Sequence, residues 1–149
     1  MSESLLPTVP CMCASFRRTS RALTQLYEQA LRPRGLRASQ FTILQALALA
    51  GEVTQGQLGE MLAMDSTSLT RTLAIMGRRG WIVVRRGKDR RERRLQLASG
   101  GQTKLRDVQP QWEKVQSRLR RQLSAQTWKN LLQLTQQVTQ VVKTQGGSI

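Results

Sequence analysis

The sequence contains no histidine and few acidic or aromatic side chains. Its 149 residues include 24 basic and 9 acidic side chains, and aromatic residues make up 4%. Without histidine there is no Ser–His or Cys–His pair and none of the usual proton shuttles of catalysis. The carboxylates are scattered, and no glycine-rich phosphate-binding loop is present. We therefore do not expect an enzyme, and no cofactor or metal is indicated.

Long apolar runs are also missing. No stretch reaches the roughly 18 apolar residues that span a membrane, because Thr42 and Gln45 interrupt the longest one, at 41–50. The first ten residues lack the basic start and apolar segment of a signal peptide. We expect a cytoplasmic protein without a membrane partner, long enough for one domain with a core of its own.

The basic charge is concentrated in one part of the chain. The net charge is +15, and residues 71–94 contain ten arginine or lysine side chains opposed only by Asp89 and Glu92. Such a density predicts a polyanion as partner. A solvated face that only keeps the protein soluble is the alternative.

Hydrophobic spacing predicts a mainly α-helical fold with one small hairpin. Two strands, WIVVRR and RRLQLA, flank the basic tip GKDRRE. Four helices are predicted before the hairpin: 13–31, one from a Ser39 cap to Gly51, a short one from the Thr54–Gln57 capping box to Met61 or Leu62, and one from an Asp65 cap to Gly80. Two helices are predicted after it: one after Gly101, which Pro110 kinks or divides, and a last one after Ser124.

The middle of this order is that of a winged helix-turn-helix. A short helix and a turn precede a helix rich in Ser, Thr and Arg, which suits the major groove of DNA. Hydroxyl and guanidinium groups that bond phosphates or base edges lie in its first two turns, at Ser66, Thr67, Ser68, Thr70 and Arg71. The hairpin tip carries Lys88, Arg90 and Arg91, which suit a minor groove or its flanking phosphates.

Three segments resemble the MarR family of bacterial transcription regulators: LRASQFTILQAL, TQGQLGEML and MDSTSLTRTLAIMGRRGWIVVRRGKDRRERRLQLASGG. The likeness covers roughly residues 13–120 and is most specific at Asp89-Arg90-Arg91. It implies that Asp89 orients the wing and that Arg91 enters the minor groove. The family has Thr where this chain has Ala98, so we expect Ser99 to cap the next helix.

The resemblance also implies a homodimer on a pseudo-palindromic, double-stranded DNA operator, with half-sites about one helical turn, ~10 bp, apart. The apolar stripes of the first and last two helices fit a dimer interface, although an intramolecular bundle is the alternative. The expected organisation is an N-terminal arm at 1–10, a dimerisation helix at 11–35, a winged helix-turn-helix lobe at 36–98 and C-terminal dimerisation helices at 99–149.

The two cysteines allow three interpretations. Cys11 and Cys13 are two residues apart, so on a helix they do not face each other. They fall short of the four ligands of a zinc site, which leaves a soft metal held by few sulfurs. Cys13 in the first turn of a helix, four residues before Arg17, is favourable for a reactive thiolate. The third interpretation is a small apolar residue packed in a core.

The segment CASFRRTSRALTQLY resembles the first helix of the organic-hydroperoxide repressors, a branch of the MarR family. Cys13 stands seven residues before Ser20-Arg21-Ala22, where that branch has its sensing cysteine, and Tyr27 stands where it has a tyrosine that bonds the cysteine. Arg17 and Ala38 replace the two other tyrosines. The resemblance thus implies a peroxide as inducer, with Cys11 as a resolving thiol or without a role.

The family also implies a second means of release, by a small aromatic or carboxylate ligand bound between the dimer helices and the DNA-binding lobe. Arginines near an apolar pocket suit a carboxylate. The candidate lining is Arg17, Arg18, Arg21, Tyr27 and Trp112. We expect a sequence-specific repressor, released by oxidation of Cys13 or by such a ligand. The alternative is a sequence-neutral architectural DNA-binding protein, which should lose all DNA sites in parallel as salt rises.

Overall fold

The computed structural model describes Pro7 and residues 9–146. The arm predicted at 1–10 therefore lies mostly outside the described residues. The elements, in chain order, are α1 (Met12–Leu31), a 3-10 turn (Arg32–Arg34), α2 (Ala38–Ala50), β1 (Val53–Thr54), α3 (Gln55–Leu62), α4 (Ser66–Arg78), β2 (Ile82–Arg86), β3 (Arg93–Leu97), α5 (Ser99–Leu123) and α6 (Ala125–Gln145). The prediction of a mainly helical fold with a small hairpin is confirmed. Within the described part, no helix has the length and apolar character needed to cross a membrane.

Three of the predicted helix caps are confirmed. The Thr54 hydroxyl accepts the Gln57 N–H at 3.1 Å, and the Gln57 side-chain oxygen accepts the Thr54 N–H at 2.9 Å, which completes a capping box. Asp65 Oδ1 accepts the Ser68 N–H at 2.8 Å at the start of α4. Ser124 caps α6 in the same way, at 3.3 Å. Each cap satisfies a backbone donor that the helix itself cannot bond.

The cap predicted for α2 is wrong. The helix begins at Ala38, one residue before Ser39, and Arg37 is the residue that precedes it. A carboxylate from another element supplies the acceptor, because Glu28 Oε1 of α1 accepts the Ala38 N–H at 2.8 Å. The Arg37 N–H in turn donates to Gln40 Oε1 at 3.0 Å. With these two donors satisfied, the start of α2 does not depend on the Ser39 hydroxyl.

Helix α5 differs from the prediction at two positions. It begins at Ser99, so Ser99 belongs to the helix, and the carbonyl of Ala98 accepts its first backbone hydrogen bond. Pro110 lies inside α5, which continues as one helix to Leu123 and is not divided. Proline removes one backbone donor from a helix interior. Packing on both sides of it offsets this loss, since Val108 is fully buried and Trp112 packs against the same core.

The sheet has one strand more than the predicted hairpin. Strands β2 and β3 pair antiparallel, with Ile82 opposite Leu97. The two-residue strand β1 pairs with the other edge of β3 and places Val53 opposite Leu95, so that the order is β1-β3-β2. The central strand β3 is therefore held on both edges, which ties the wing to the start of α3.

The chain divides into two compact units, and the boundary falls inside α5, after Trp112. The first unit contains one apolar core, to which α4 contributes Leu69, Leu73 and Met76, as the spacing predicts. Burying a side chain of this size contributes about 1.5–3 kcal/mol relative to leaving it exposed. The fully buried side chains of the unit are Leu31, Leu36, Ile43, Leu44, Leu47, Leu58, Leu69, Met76, Leu95 and Val108.

The second unit consists of the last part of α5 together with the whole of α6. The guanidinium of Arg120 lies 5.5 Å from the ring centre of Trp128, a cation–π contact across the turn between the helices. No residue of α6 is buried. Its large apolar side chains are exposed at Leu131, Leu132, Leu134, Val141 and Val142.

Two consecutive glycines at the start of α5 allow a close approach between backbones. A Cβ atom on Gly101 would lie 2.1 Å from the carbonyl oxygen of Trp81, and one on Gly100 would lie 2.6 Å from that of Gly80. Both carbonyls belong to the backbone, so they cannot move aside as the end of a flexible side chain can. The backbone that joins α4 to β2 must therefore move if either glycine gains a side chain.

We predict that Gly101→Ala lowers the free energy of unfolding by about 1–3 kcal/mol, because the added methyl group forces a backbone shift. Gly77→Ala in α4 is the matched control. Its Cβ would have no neighbour within 4 Å, and alanine is favoured over glycine in helices by about 0.5–1 kcal/mol. Urea unfolding of both variants should give changes of opposite sign. Equal stability of the two variants would contradict the close approach.

Candidate nucleic-acid interface

One face of α4 is buried and the other is open to solvent. Because Leu69, Leu73 and Met76 point into the core, the residues between them lie on the outer face. All five predicted DNA-contacting residues of this helix are exposed: Ser66, Thr67, Ser68, Thr70 and Arg71. The amphipathic pattern and the Asp65 cap together place these side chains in the first two turns.

The hydroxyl of Thr70 is oriented by a neighbour that the sequence did not reveal. Gln55 Nε2, at the start of α3, donates to Thr70 Oγ1 at 2.8 Å. A hydroxyl that accepts this bond still has its own hydrogen to donate. Thr70 therefore presents a donor suited to a phosphate oxygen or to an acceptor on a base edge. No local pattern marks Gln55, since its partner is fifteen residues further along the chain.

The wing loop, residues 87–92, is held by its own acidic residue. Asp89 Oδ1 accepts the Arg91 N–H at 3.2 Å, and the Asp89 carbonyl accepts the Glu92 N–H at 3.0 Å. Gly87 closes the loop with a bond of 2.8 Å from its N–H to the Glu92 carbonyl. A Cβ on Gly87 would lie 2.7 Å from the Glu92 side chain. The tip stays compact, and its Lys88, Arg90 and Arg91 side chains are exposed.

The structure brings three of the nine predicted DNA-contacting residues to one hollow, and the other six lie outside its lining. Ser66 and Thr70 from α4 share a hollow with Arg91 from the wing loop. Its full lining is Thr54, Gln55, Gly56, Ser66, Thr70, Arg91, Glu92 and Arg93. Hydroxyl donors and guanidinium groups therefore converge on one open surface.

Two of the ten basic residues of the 71–94 segment are engaged within the protein. Arg94 bonds Glu52 at 3.1 Å and Glu92 at 2.8 Å. The hydrogen bond to Glu52, followed by the charge of Glu92, raises the pKa of the Arg94 guanidinium. Arg79 donates to a backbone carbonyl before α2 at 3.1 Å and lies 5.0 Å from the ring centre of Trp81. These two arginines stabilise the lobe, and the remaining charge is carried by α4, β2, β3 and the wing loop.

The cysteines lie at the start of α1. Cys11 immediately precedes the helix and its side chain makes no capping bond, and Cys13 is the second residue of the helix, so Cys13 lies in the first turn, as predicted. Both thiols are free and exposed. The apolar stripe beside them is uncovered as well, with Phe16 41% and Leu23 39% exposed. Packing of Cys13 in a core is therefore not seen in the described chain. No group of three or more potential metal ligands occurs among the described residues.

The residues suggested for a ligand site divide into two places. Arg17, Arg18 and Arg21 line an open hollow together with both cysteines. Tyr27 follows Cys13 by fourteen residues on the same helix, which separates them by about 21 Å along its axis. Tyr27 packs against the core of the first unit, and burial raises the pKa of its hydroxyl. Trp112 packs there too, with its ring centre 5.9 Å from that of Phe41. Within one chain, these two aromatic residues therefore do not share the hollow with the arginines and the thiols.

Comparison with known proteins gives a consistent family. A family model described as the MarR family matches residues 34–92. The chain is 32% identical to MosR, a transcriptional regulator of M. tuberculosis whose structure is solved in complex with DNA; the match covers 88% of this chain and 98% of that one, with a TM-score of 0.75.

Two further relatives share less of the sequence. A mutant MarR from E. coli, solved with operator DNA, is 22% identical over 85% of this chain and 92% of its own, with a TM-score of 0.75. The HTH-type transcriptional regulator YwoH of Bacillus subtilis (strain 168) is 28% identical over 90 residues, which are 60% of this chain. The chain spans 66% of the length of YwoH.

The Asp65 cap should make the stability of α4 depend on pH. The hydrogen bond from the Ser68 N–H holds the pKa of the Asp65 carboxyl below its ordinary value of 3.8. Because the folded-state pKa is the lower one, the contribution is present above 3.8 and is lost as pH falls through the folded-state value. Asp65→Ala should therefore be less stable than wild type at neutral pH, and the difference should shrink in acid.

Thermal unfolding between neutral and strongly acidic pH measures this difference. Asp65→Asn is the matched control, because asparagine is as good a cap and does not titrate. Its stability relative to Asp65→Ala should change little with pH. If Asp65→Ala were destabilised equally at all pH values, the carboxylate would not be the capping group.

Proposed function

Because the chain belongs to the MarR family of transcriptional regulators, we propose that it is a sequence-specific DNA-binding repressor that acts as a homodimer. It acts by binding and not by catalysis. The observation that carries this proposal is the convergence of Ser66, Thr70 and Arg91 on one open surface. Helix α4 enters the major groove, and the wing loop contacts the adjacent minor groove.

The chemistry of the two elements differs in the way that the two grooves require. Arg71 suits a bidentate contact to guanine, and the Thr70 hydroxyl suits an acceptor in the major groove. The exposed Lys88, Arg90 and Arg91 suit the negative potential of a narrow minor groove. The two neighbours solved with DNA, MosR and MarR, support this placement by their shared fold.

Exposed apolar side chains support the homodimer. Leu131, Leu134 and Val141 of α6 are 45%, 53% and 48% exposed, at the spacing of one helix face. Apolar faces left open in one chain are typical of surfaces that pack on a second copy. Segments 11–35 and 99–149 form the dimer contacts in this proposal, and segment 36–98 forms the DNA-binding lobe. Two copies of α4 then reach successive major grooves, about one helical turn apart.

Release from DNA follows a chemical change at the start of α1. The Cys13 thiolate attacks an oxygen of an organic hydroperoxide, the O–O bond breaks, and an alcohol leaves while cysteine becomes a sulfenic acid. The exposure of Cys13 and the arginines around it support this reaction. A small carboxylate held by Arg17, Arg18 and Arg21 is the second route, since guanidinium groups bind carboxylates well. Either change would move α1, and with it the proposed dimer contacts.

We predict that Arg91→Ala weakens binding to the DNA flanking the protein's own gene by about 1–3 kcal/mol, because a minor-groove contact is lost. Arg71→Ala should weaken binding and also alter the preference between sequences. Arg106→Ala on α5 removes the same charge outside the proposed DNA contacts and serves as control, with gel filtration to check that its oligomeric state is that of wild type. Fluorescence anisotropy at fixed salt measures all three. Equal affinity for Arg91→Ala and Arg106→Ala would remove the wing from the interface.

For the thiol, we predict that one equivalent of cumene hydroperoxide releases wild type from DNA and that dithiothreitol restores binding. Cys13→Ser should remain bound under the same treatment, because it cannot form a sulfenic acid. Cys11→Ser, with Cys13 intact, is the matched control and should still be released. If wild type and Cys13→Ser respond alike, oxidation of Cys13 is not the signal, and release by a carboxylate at the arginines is the route to test.

A further inference from the structure

Another hollow lies where the 3-10 turn and the start of α2 meet the end of α4. It is lined by Arg32, Gly35, Leu36, Arg37, Gln40, Ile75 and Arg79. None of these residues belongs to the DNA contacts or to the thiol site proposed above. Gln40 is the one buried polar side chain of the described residues, with 6% of its surface exposed.

The amide of Gln40 has donors without partners. Its Oε1 accepts the Arg37 N–H at 3.0 Å, and this bond fixes which end of the amide is oxygen. The NH₂ group at the other end donates to no residue in the described part of the chain. This nitrogen keeps contact with solvent, because Gln116 Oε1 is the one fully buried side-chain polar atom without a partner among the described residues. Since Gln40 lines the hollow, these N–H groups are available to an acceptor inside it.

The charge around the hollow is positive. Three guanidinium groups line it, those of Arg32, Arg37 and Arg79. One carboxylate offsets them from outside the lining: Glu28 lies 2.9 Å from Arg32 and 3.7 Å from Arg37. Each guanidinium carries five N–H donors, so one bond to Glu28 or to a backbone carbonyl leaves others available. Three guanidinium groups and the excess of positive charge around the hollow favour an anion with several oxygens.

We propose that this hollow binds a phosphate-type oxyanion through the Gln40 NH₂ group and the guanidinium groups of Arg37 and Arg79. The bound oxyanion has two possible sources: a backbone phosphate of DNA, or a free anion from solution. Arg79 follows Arg71 by eight residues on α4, a distance of about 12 Å along the helix. A duplex held by α4 is therefore one source to test at this hollow. Only the DNA source depends on the proposed function.

The side-chain NH₂ signals of Gln40 in ¹H–¹⁵N NMR spectra of the full chain report directly on this group. One titration uses sodium phosphate, replacing chloride at constant ionic strength, and a second uses a short DNA duplex of arbitrary sequence. The backbone signals of Leu36 and Arg37 follow the same event in variants. We expect phosphate to shift these signals in a saturable way.

Gln40→Glu is the informative variant. Glutamate keeps an acceptor for the Arg37 N–H, as either residue does in a capping box, but replaces the two donors with a negative charge. Phosphate affinity should fall by roughly tenfold or more, as expected when a charge-assisted hydrogen bond is lost. Gln137→Glu on the exposed face of α6 makes the same change of charge elsewhere and should bind phosphate like wild type.

The two sources give different results. If the hollow holds a DNA phosphate, the duplex also shifts the Gln40 signals, and Gln40→Glu lowers the slope of log affinity against log salt by about one. If it holds a free anion, phosphate shifts the signals and the duplex does not. The proposal is overturned if neither moves them, or if Gln40→Glu and Gln137→Glu bind phosphate equally. A chain that binds no DNA at all would refute the proposed function but leave the phosphate titration intact.

Discussion

The burial of one face of α4 is the constraint on which the rest of the lobe depends. Once Leu69, Leu73 and Met76 occupy the core, the helical period leaves the hydroxyls and Arg71 on the opposite side, in solvent. The Asp65 cap then determines where the helix begins, and so which residues occupy its first two turns. The surface proposed to contact DNA follows from apolar packing and one capping bond, without any special feature of the surface itself.

The wing and α5 are positioned from the other end of the same helix. The chain leaves α4 through Gly80 and Trp81, and the backbone of Gly101 packs directly against the Trp81 carbonyl. Arg79 and Lys104 both make cation–π contacts with the ring of Trp81. Each also donates a hydrogen bond to a backbone carbonyl between α1 and α2. Direct contacts therefore connect the turn after α1 with the end of α4. Arginines of this lobe thus differ in their surroundings: Arg79 and Arg94 bond other elements, and the exposed arginines remain available for the proposed DNA contact.

The elements that could be predicted from the sequence are those whose signals are local. Helical periods, the Asp65 cap and the alternation in the wing all lie within a few residues, and so do the α4 and wing residues of the proposed interface. Strand β1 is too short to show a period, and the start of α2 depends on Glu28, ten residues before Ala38. Gln55 and Gln40 were missed for the same reason. Both are neutral side chains: folding alone brings Thr70 to Gln55, and the proposed role of Gln40 depends on a hollow that several elements form together.

Hydroxyl-radical footprinting on the DNA that flanks the protein's own gene tests the central claim most directly. A homodimer with α4 in the major groove should protect two half-sites on one face of the duplex, with centres about one helical turn, ~10 bp, apart. Wing contacts should extend the protection into the adjacent minor grooves. Protection spread evenly along the fragment, and lost in parallel on all sequences as salt rises, would contradict sequence-specific regulation and indicate an architectural DNA-binding protein.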